Sequence, residues 1–455
     1  MKGTVYMNID IPRYVEKVID KLENSGFEAY IVGGCVRDSI MGRKPKDYDV
    51  TTSAKPDEIK KCFSDPADGF KIIETGVRHG TVTIVSDGEN IEVTTFRIDG
   101  EYIGHRQPLE VRFARSLTED LARRDFTINA MAYNKKIGLI DSFGGQKDLF
   151  NRKIVCVGKP ELRFDEDALR IMRALRFASE LNFKITDETA AAIHGMRNLL
   201  TTISAERIAS EFMLLLMGIA PKRTLTRFSD VMEVIIPEIK PCVGFQQHSK
   251  YYSTDLWTHM AAAVEYSKPI PEVRLALMLH DIGKPICFSL DDEGNGNFSN
   301  HERISAEMAE AVLGRLHFPN NTIQRVSKLI KYHYFVPVND TRVIRKLLSA
   351  VGEKDFFMLI ELMKGNNRAK ENCFERVHTL EIMQAKAIEI IESNQCIRIS
   401  DLAVSGSDMI TLGFSGKEIG AALEELLDAV LDDRVSNTYT ELISYAKKYC
   451  KNVKN

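Results

Sequence analysis

An α+β domain at the N-terminus, mixed sheet plus helices, followed by an all-α remainder is the fold class this sequence predicts. Three observations carry it: the first 155 residues alternate between the two hydrophobic periods, strand signals nearly vanish from Asp165 onward, and no long Pro- or Ser-rich linker interrupts the chain. Tyr14, Val15, Val18, Ile19 and Leu22 recur at helical spacing and predict the first helix. Phe27 to Val32 then reads as a short strand running into Gly33-Gly34. Further strands follow at Tyr48 to Thr52, Gly80 to Val85 and Ile91 to Phe96, rich in the Val, Ile and Thr that suit a pleated, half-buried surface. Helical periodicity governs the rest, in Ala168 to Leu181, Ala205 to Met217, Ile304 to Leu316 and Gly420 to Leu431. The one loop-like insert is Asp291 to Asn300, whose Gly, Asn and Asp content marks a turn.

Composition narrows the function classes. At 44% hydrophobic and 27% charged, the 455 residues are those of an ordinary globular chain, which excludes disorder and collagen-like architecture. A net charge of −3 excludes a basic nucleic-acid coat, so phosphate binding must come from local clustering. Arg97 to Arg176 provides such a cluster, with 16 Lys/Arg against 12 Asp/Glu, whereas the last 55 residues are net acidic. The eight cysteines show no C-x-x-C pair, which reads as free thiols in a reducing cytoplasm. The longest apolar run, Phe212 to Ala220, is far short of the roughly 20 residues a bilayer requires. A cytoplasmic protein without a membrane segment is the expectation.

The most informative stretch is Gly33-Gly34, then Arg37-Asp38, then Asp47-Tyr48-Asp49 at a strand start. Side chains at i and i+2 of a strand leave the same face, so Asp47 and Asp49 are expected to project together. Two neighbouring carboxylates repel unless a cation sits between them, and hard oxygen ligands suit Mg²⁺. A pair of such ions clamps the attacking and leaving oxygens of a phosphoryl transfer. The glycines let backbone N–H groups approach a triphosphate, with Arg37 beside them. Glu92 is a candidate third carboxylate; an edge-strand surface acid is its plain alternative.

Three further strings narrow the choice: TGVRHGTVTI at Thr75 to Ile84, RRDFTINAMAY at Arg123 to Tyr133, and DEDALRIMRALRFA at Asp165 to Ala178. With GGCVRD and DYD, they make the whole chain resemble the class II bacterial tRNA nucleotidyltransferases, the CCA-adding family of the polymerase β-like superfamily. That resemblance implies a nucleotidyltransferase head (1–155), a helical neck with a base-selecting helix (156–220), a helical body (221–375) and a tRNA-contacting tail (376–455). It implies Mg²⁺ in the head, tRNA, CTP and ATP as partners, and addition of CCA without a nucleic-acid template. Glu166, Asp167 and Arg170 resemble the family's E-D-x-x-R, in which the Asp and Arg pair with the incoming base. Residues three apart share one helix face, so this pair is expected to present an acceptor beside several donors. Cytosine and adenine each show an amino group beside a ring acceptor; uracil shows the reverse pattern. Arg124 and Asp125 resemble residues near the ribose and phosphates, with Asn129 one helical turn on. Arg97 to Phe113 resembles the family's flexible loop that switches from C to A, with Tyr102 and Arg106 matching.

A second constellation lies in LALMLHDIGKP, where an apolar helix ends in His280-Asp281, with His259 upstream and His301 and His333 downstream. It resembles an HD-domain phosphohydrolase, which implies a divalent metal that activates water against phosphoesters. Transition metals such as Ni²⁺, Mn²⁺ or Co²⁺ suit this imidazole-rich set better than Mg²⁺. The helix that usually supplies a final Asp carries Asn366 and Asn367 instead. Two other readings stay open: a bacterial poly(A) polymerase sharing head and neck, and an HD-type phosphohydrolase whose head only binds RNA.

Overall fold

The computed structural model describes residues 9–74, 80–99, 102–103, 107–108 and 111–453. Thr75 to His79 and Arg106 therefore lie outside the described residues, as does the side chain of Tyr102. The chain divides into two compact units, Met1–Pro237 and Glu238–Asn455.

The first unit opens with α1 (Arg13–Asn24), β1 (Ala29–Val32), α2 (Gly34–Ile40), β2 (Asp49–Thr52), α3 (Pro56–Cys62), β3 (Lys71–Ile73), β4 (Thr81–Ser86) and β5 (Glu89–Thr95). Four short strands follow as two ladders, β6 (Arg97–Asp99) with β9 (Val111–Phe113) and β7 (Tyr102–Ile103) with β8 (Gln107–Pro108). Then come α4 (Leu117–Ala122), β10 (Ala132–Asn134), β11 (Gly138–Ile140), α5 (Gly145–Phe150) and β12 (Lys153–Ile154). One seven-stranded sheet, in the order β11-β10-β1-β2-β5-β4-β3, organises this region. Only β2 and β5 run parallel; the other neighbours are antiparallel, so the sheet is mixed, as expected.

Helix α1 forms because Val15, Val18, Ile19 and Leu22 line one face, and all four are buried against the sheet. Full burial of each aliphatic side chain contributes roughly 1.5–3 kcal/mol. Strands β4 and β5 form a hairpin through Asp87-Gly88, both with positive φ (51° and 86°), the mirror-image turn whose twist matches the flanking strands. Beneath β1, Tyr30, Val32 and Ala132 pack with Phe96, Leu117 and Leu121, which seats α4 on the sheet.

Helices α6 (Pro160–Glu166), α7 (Leu169–Leu181), α8 (Asp187–Met196), α9 (Ala205–Leu216), α10 (Pro221–Arg227) and α11 (Ser229–Ile235) complete the unit, with β13 (Lys184–Ile185) pairing β12. The second unit is helical: α12 (Leu256–Tyr266), α13 (Pro271–Leu279), α14 (His301–Arg315), α15 (Asn320–Tyr332), α16 (Thr341–Val351), α17 (Glu353–Arg368), α18 (Phe374–Glu392), α19 (Gly406–Thr411), α20 (Lys417–Leu431) and α21 (Tyr439–Val453). The predicted turn is a small hairpin of β14 (Ser289–Leu290) and β15 (Gly296–Asn297). Among the described residues no helix is long and apolar enough to cross a membrane, and the seven described cysteines form no disulfide.

Candidate active site and a buried histidine cluster

The sheet sets the first carboxylates. Asp49 is the first residue of β2, and Asp47 lies two residues before the strand begins. The expected alternation along one strand is thus corrected: the chain is not yet in a ladder at Asp47. Asp47 is nonetheless near enough for its charge to raise the Asp49 carboxyl. Parallel pairing places Glu92 of β5 directly opposite Asp49. All three acids have accessible surface. The atoms crowding Asp49 come first, then the Asp47 and Glu92 charges, and they push its carboxyl up to about 6 against the pull of Arg124. A carboxylate made this uncomfortable by its neighbours is what a divalent cation relieves, and oxygen donors suit Mg²⁺.

Beside the acids, Gly33 has φ +83°, a conformation that L side chains rarely adopt, and a Cβ there would stand 3.0 Å from Arg124 Nη1. The missing side chain lets the backbone at the start of α2 face that guanidinium. Arg124 is anchored by Asp120, a buried acid on α4 that the sequence reading missed. Asp120 accepts from Arg123 Nη2 at 2.7 Å and Thr51 Oγ1 at 3.1 Å, with Arg124 Nη2 at 3.5 Å. Its signal was the i, i+3 and i, i+4 spacing to Arg123 and Arg124.

Asp125 and Asn129 do not share an α-helix. Phe126 is extended, in an isolated antiparallel bridge to Cys156, and Thr127–Asn129 is a single 3₁₀ turn. Even so, Asn129 Nδ2 donates to Asp125 Oδ1 at 3.1 Å, and Asn129 Oδ1 accepts from Arg37 Nη1 at 2.8 Å. Arg37, expected on the triphosphate, is buried; its Nε donates to Asp38, and its guanidinium lies 5.1 Å from the Phe177 ring centroid. Asp125 Oδ2 accepts from Arg173 Nε at 2.8 Å. Burial alone would raise the Asp125 carboxyl, but the Arg173 charge and the Asn129 bond outweigh it and hold it at about 2.

The helix face expected to carry both Asp167 and Arg170 is broken. Asp167 caps the end of α6 in an extended conformation (φ −138°, ψ 103°), and α7 starts afresh at Leu169. Asp167 Oδ1 accepts from the Leu169 amide and Oδ2 from Arg207 Nη2 at 3.0 Å. Arg170 donates through Nη1 to Glu166 at 2.6 Å and through Nη2 to the Arg123 carbonyl at 2.8 Å. Each member of the pair is therefore held by its own partner, and Arg207 of α9 was not foreseen.

In the second unit, the five predicted ligands converge. Asp281 Oδ2 lies 3.2 Å from His280 Nε2 and 3.9 Å from His259 Nε2, and its Oδ1 lies 3.4 Å from His301 Nε2 and 3.6 Å from His333 Nε2. The Nδ1 atoms of His280, His301 and His333 each meet a carbonyl three residues back, at 2.8, 2.9 and 2.6 Å, which turns each Nε2 inward. Both Asp281 oxygens and the Nε2 atoms of His280 and His301 are buried without a well-formed hydrogen bond. Orphaned donors of this kind fit a cation with imidazole preference. Burial pushes the His333 imidazole down to about 4, keeping it neutral as a ligand must be. Asn366 Oδ1, at the position where the motif expects a final Asp, sits 3.0 Å from His259 Nε2, and Lys284 Nζ, which was unforeseen, lies 2.8 Å from Asp281 Oδ2.

Comparison with known proteins agrees with this arrangement. Residues 29–155 match the poly(A) polymerase head-domain family, and residues 298–446 match a tRNA nucleotidyltransferase domain 2. The chain is 36% identical over 423 residues to a CCA-adding enzyme of Listeria monocytogenes, covering 92% of this chain and 93% of that one. It is 33% identical to a CCA-adding enzyme of Staphylococcus epidermidis, covering 98% and 100%. The crystal structure of the Bacillus stearothermophilus CCA-adding enzyme in complex with CTP superposes with a TM-score of 0.73 at 27% identity, over 98% of this chain and 99% of that one.

Proposed function

The chain belongs to the CCA-adding tRNA nucleotidyltransferases, and from that premise we propose how its own residues carry the reaction. It adds C, C and A to the tRNA 3′ end from CTP and ATP, without a nucleic-acid template. The relatives do not favour the poly(A) polymerase and phosphohydrolase alternatives. The family works with a divalent metal, generally Mg²⁺. Asp47, Asp49 and Glu92 would hold it in this reading, and when bound it would supply the charge that lowers the pKa of the 3′-hydroxyl and offsets that of the departing pyrophosphate. Gly33 and Gly34 admit the triphosphate to the backbone, facing Arg124. Arg37, Asn129 and Asp125 brace that floor from below.

Asp167 and Arg170 read the base. Their partners, Arg207 and Glu166, hold acceptor and donors in place before the nucleotide arrives, so neither must reorganise. Tyr102 and Arg106 belong, by resemblance, to the loop that switches from C to A. The segments 1–155, 156–220, 221–375 and 376–455 serve as head, neck, body and tRNA-contacting tail, in a cytoplasmic setting that fits the free thiols.

The observation that carries this reading is the Asp49 carboxyl, pressed by Asp47 just before its own strand and by Glu92 across a parallel strand pair. Asp47→Ala and Asp49→Ala should each lower both C and A incorporation by about 10²–10³ or more while leaving tRNA binding intact. Near-normal turnover of either variant in Mg²⁺ would refute the assignment.

The histidine cluster supports a second reading. His259, His280 and Asp281, with His301 or His333, form a site for Ni²⁺, Mn²⁺ or Co²⁺, whose chemistry when bound is activation of water against a phosphoester. The carrying observation is the convergence of four imidazole Nε2 atoms within 3.9 Å of the buried Asp281 carboxylate.

A further inference from the structure

A buried ammonium stands inside the histidine cluster, where a metal ligand would not carry a positive charge. Asp281 is shared by two sets of imidazoles, His259 with His280 and His301 with His333, each set and the carboxylate having ligand atoms within 4.8 Å of one another. Lys284 meets the same carboxylate. Asp281 and Lys284 stand three apart in the turn that follows α13, in which the Lys284 amide donates to the Asp281 carbonyl at 3.0 Å. Gly283 lets this turn press on α14: its amide donates to Ser305 Oγ at 3.0 Å, and a Cβ there would stand 2.9 Å from the Ser305 backbone nitrogen. Lys284 is only 4% exposed as a result, and its Nζ lies 2.8 Å from Asp281 Oδ2, the oxygen that also faces His259 and His280.

The contacts of this ammonium fall into two kinds. It donates hydrogen bonds to Gln247 Oε1 at 2.8 Å and to the Tyr252 hydroxyl at 3.3 Å, and the ring centroids of Tyr252 and Phe298 lie 4.9 and 5.0 Å from Nζ. Toward Asp281 the contact is one of charge, since neither carboxylate oxygen has a well-formed hydrogen bond. Gln247, Tyr252 and Phe298 therefore hold the ammonium by acceptors and aromatic faces that do not involve Asp281. Imidazoles bind a metal in the neutral form and Asn366 is an amide, so among these ligands Asp281 alone is anionic, and Lys284 balances it. A buried carboxylate needs such a partner. A divalent ion entering the cluster would meet an anion already neutralised, beside a fixed positive charge that repels it.

We propose that Lys284 is the built-in counter-ion of the cluster and competes with a divalent cation for Asp281, so that this lysine sets how tightly the site holds a metal. Without a metal the ammonium neutralises Asp281 and lets the buried turn fold. With one bound, it gives up Asp281 Oδ2 and keeps its hold on Gln247, Tyr252 and Phe298. The inference rests on the metal reading of the cluster and goes beyond it, because it gives control of affinity to a residue that is not a ligand.

Titration of the full chain with Mn²⁺ in an Asp49→Ala background, followed by loss of the free-ion electron paramagnetic resonance signal, tests it. Lys284→Met, similar in length and without charge, should bind Mn²⁺ about tenfold or more tighter than its Lys284 parent. Melting curves guard against a misfolded variant. Without metal, Lys284→Met should melt below the parent, because Asp281 has lost its counter-ion, and Mn²⁺ should raise its melting temperature by more than it raises the parent's. Affinity lowered or unchanged in Lys284→Met while the parent still holds Mn²⁺ overturns the proposal and leaves the metal reading standing. Mn²⁺ held by neither protein, or a Lys284→Met chain that Mn²⁺ does not stabilise, overturns it as well, the first result taking the metal reading with it. Tight binding that survives the addition of His280→Ala would place the ion outside the cluster and also refute it.

Discussion

At the scale of single residues, two acids in the first unit are perturbed in opposite directions. Asp125 is held at about 2 by Arg173, so its contribution to stability is present above the ordinary carboxyl value of 3.8 and is lost as pH falls toward 2. Asp125→Ala takes from Arg173 its nearer acid, leaving only Glu211 at 3.7 Å, and should destabilise the fold by about 3 kcal/mol, seen as a lower midpoint in urea. Asp49 is raised to about 6, so the native state holds a proton that the unfolded chain has already released, and stability falls as pH rises from about 4 to 6. Asp49→Asn removes that penalty. The variant should melt slightly higher than wild type at pH 8 in the absence of metal, by less than about 1 kcal/mol because the group is solvent-accessible, while being inactive. A melting temperature lowered by Asp49→Asn would show that the carboxylate is a structural partner and not a strained ligand.

At the scale of elements, the break between α6 and α7 is what separates Asp167 from Arg170 and gives each its own anchor. Arg170→Ala should therefore relax discrimination against UTP and GTP more than it slows CTP or ATP, by the 1–3 kcal/mol of an unpaired polar group, or roughly 5- to 150-fold. Arg207→Ala should shift discrimination in the same direction but less, since Asp167 keeps its bond to the Leu169 amide. Equal loss for all four nucleotides in Arg170→Ala would make it a brace. This break was not legible in the sequence: E-D-A-L-R has no Gly or Pro, and helical periodicity runs through it. Strands β1, β2, β4 and β5 were legible because Val, Ile and Thr cluster between turns. Strands β3, β10 and β11 were missed, being three residues each and too short to show a period. Asp49 and Glu92 were both legible as candidate carboxylates, but their direct pairing is set by a parallel ladder between residues 43 apart, which local pattern does not encode. The histidines and the Asn366 position were legible by motif; Lys284, five residues beyond α13, was not, since its place beside Asp281 follows from the chain's turn after that helix.

At the scale of the whole molecule, the acids proposed to hold Mg²⁺ lie in the first compact unit, and the candidate histidine cluster lies in the second. For the second unit, the Asp49→Ala variant purified in the presence of Mn²⁺ should retain about one equivalent of metal by elemental analysis, and adding His280→Ala to it should abolish retention. Asn366→Asp adds a charge and should tighten retention. Metal-free protein in all three would leave the cluster a packed core. The central claim concerns the first unit, and it is tested most directly with tRNA lacking its 3′ terminus, Mg²⁺, and CTP or ATP given separately and together. The account predicts two residues added with CTP alone, three with both nucleotides, none with UTP, and no product of any length from Asp49→Ala. Long adenylate runs from ATP alone, or full extension by Asp49→Ala, would contradict it.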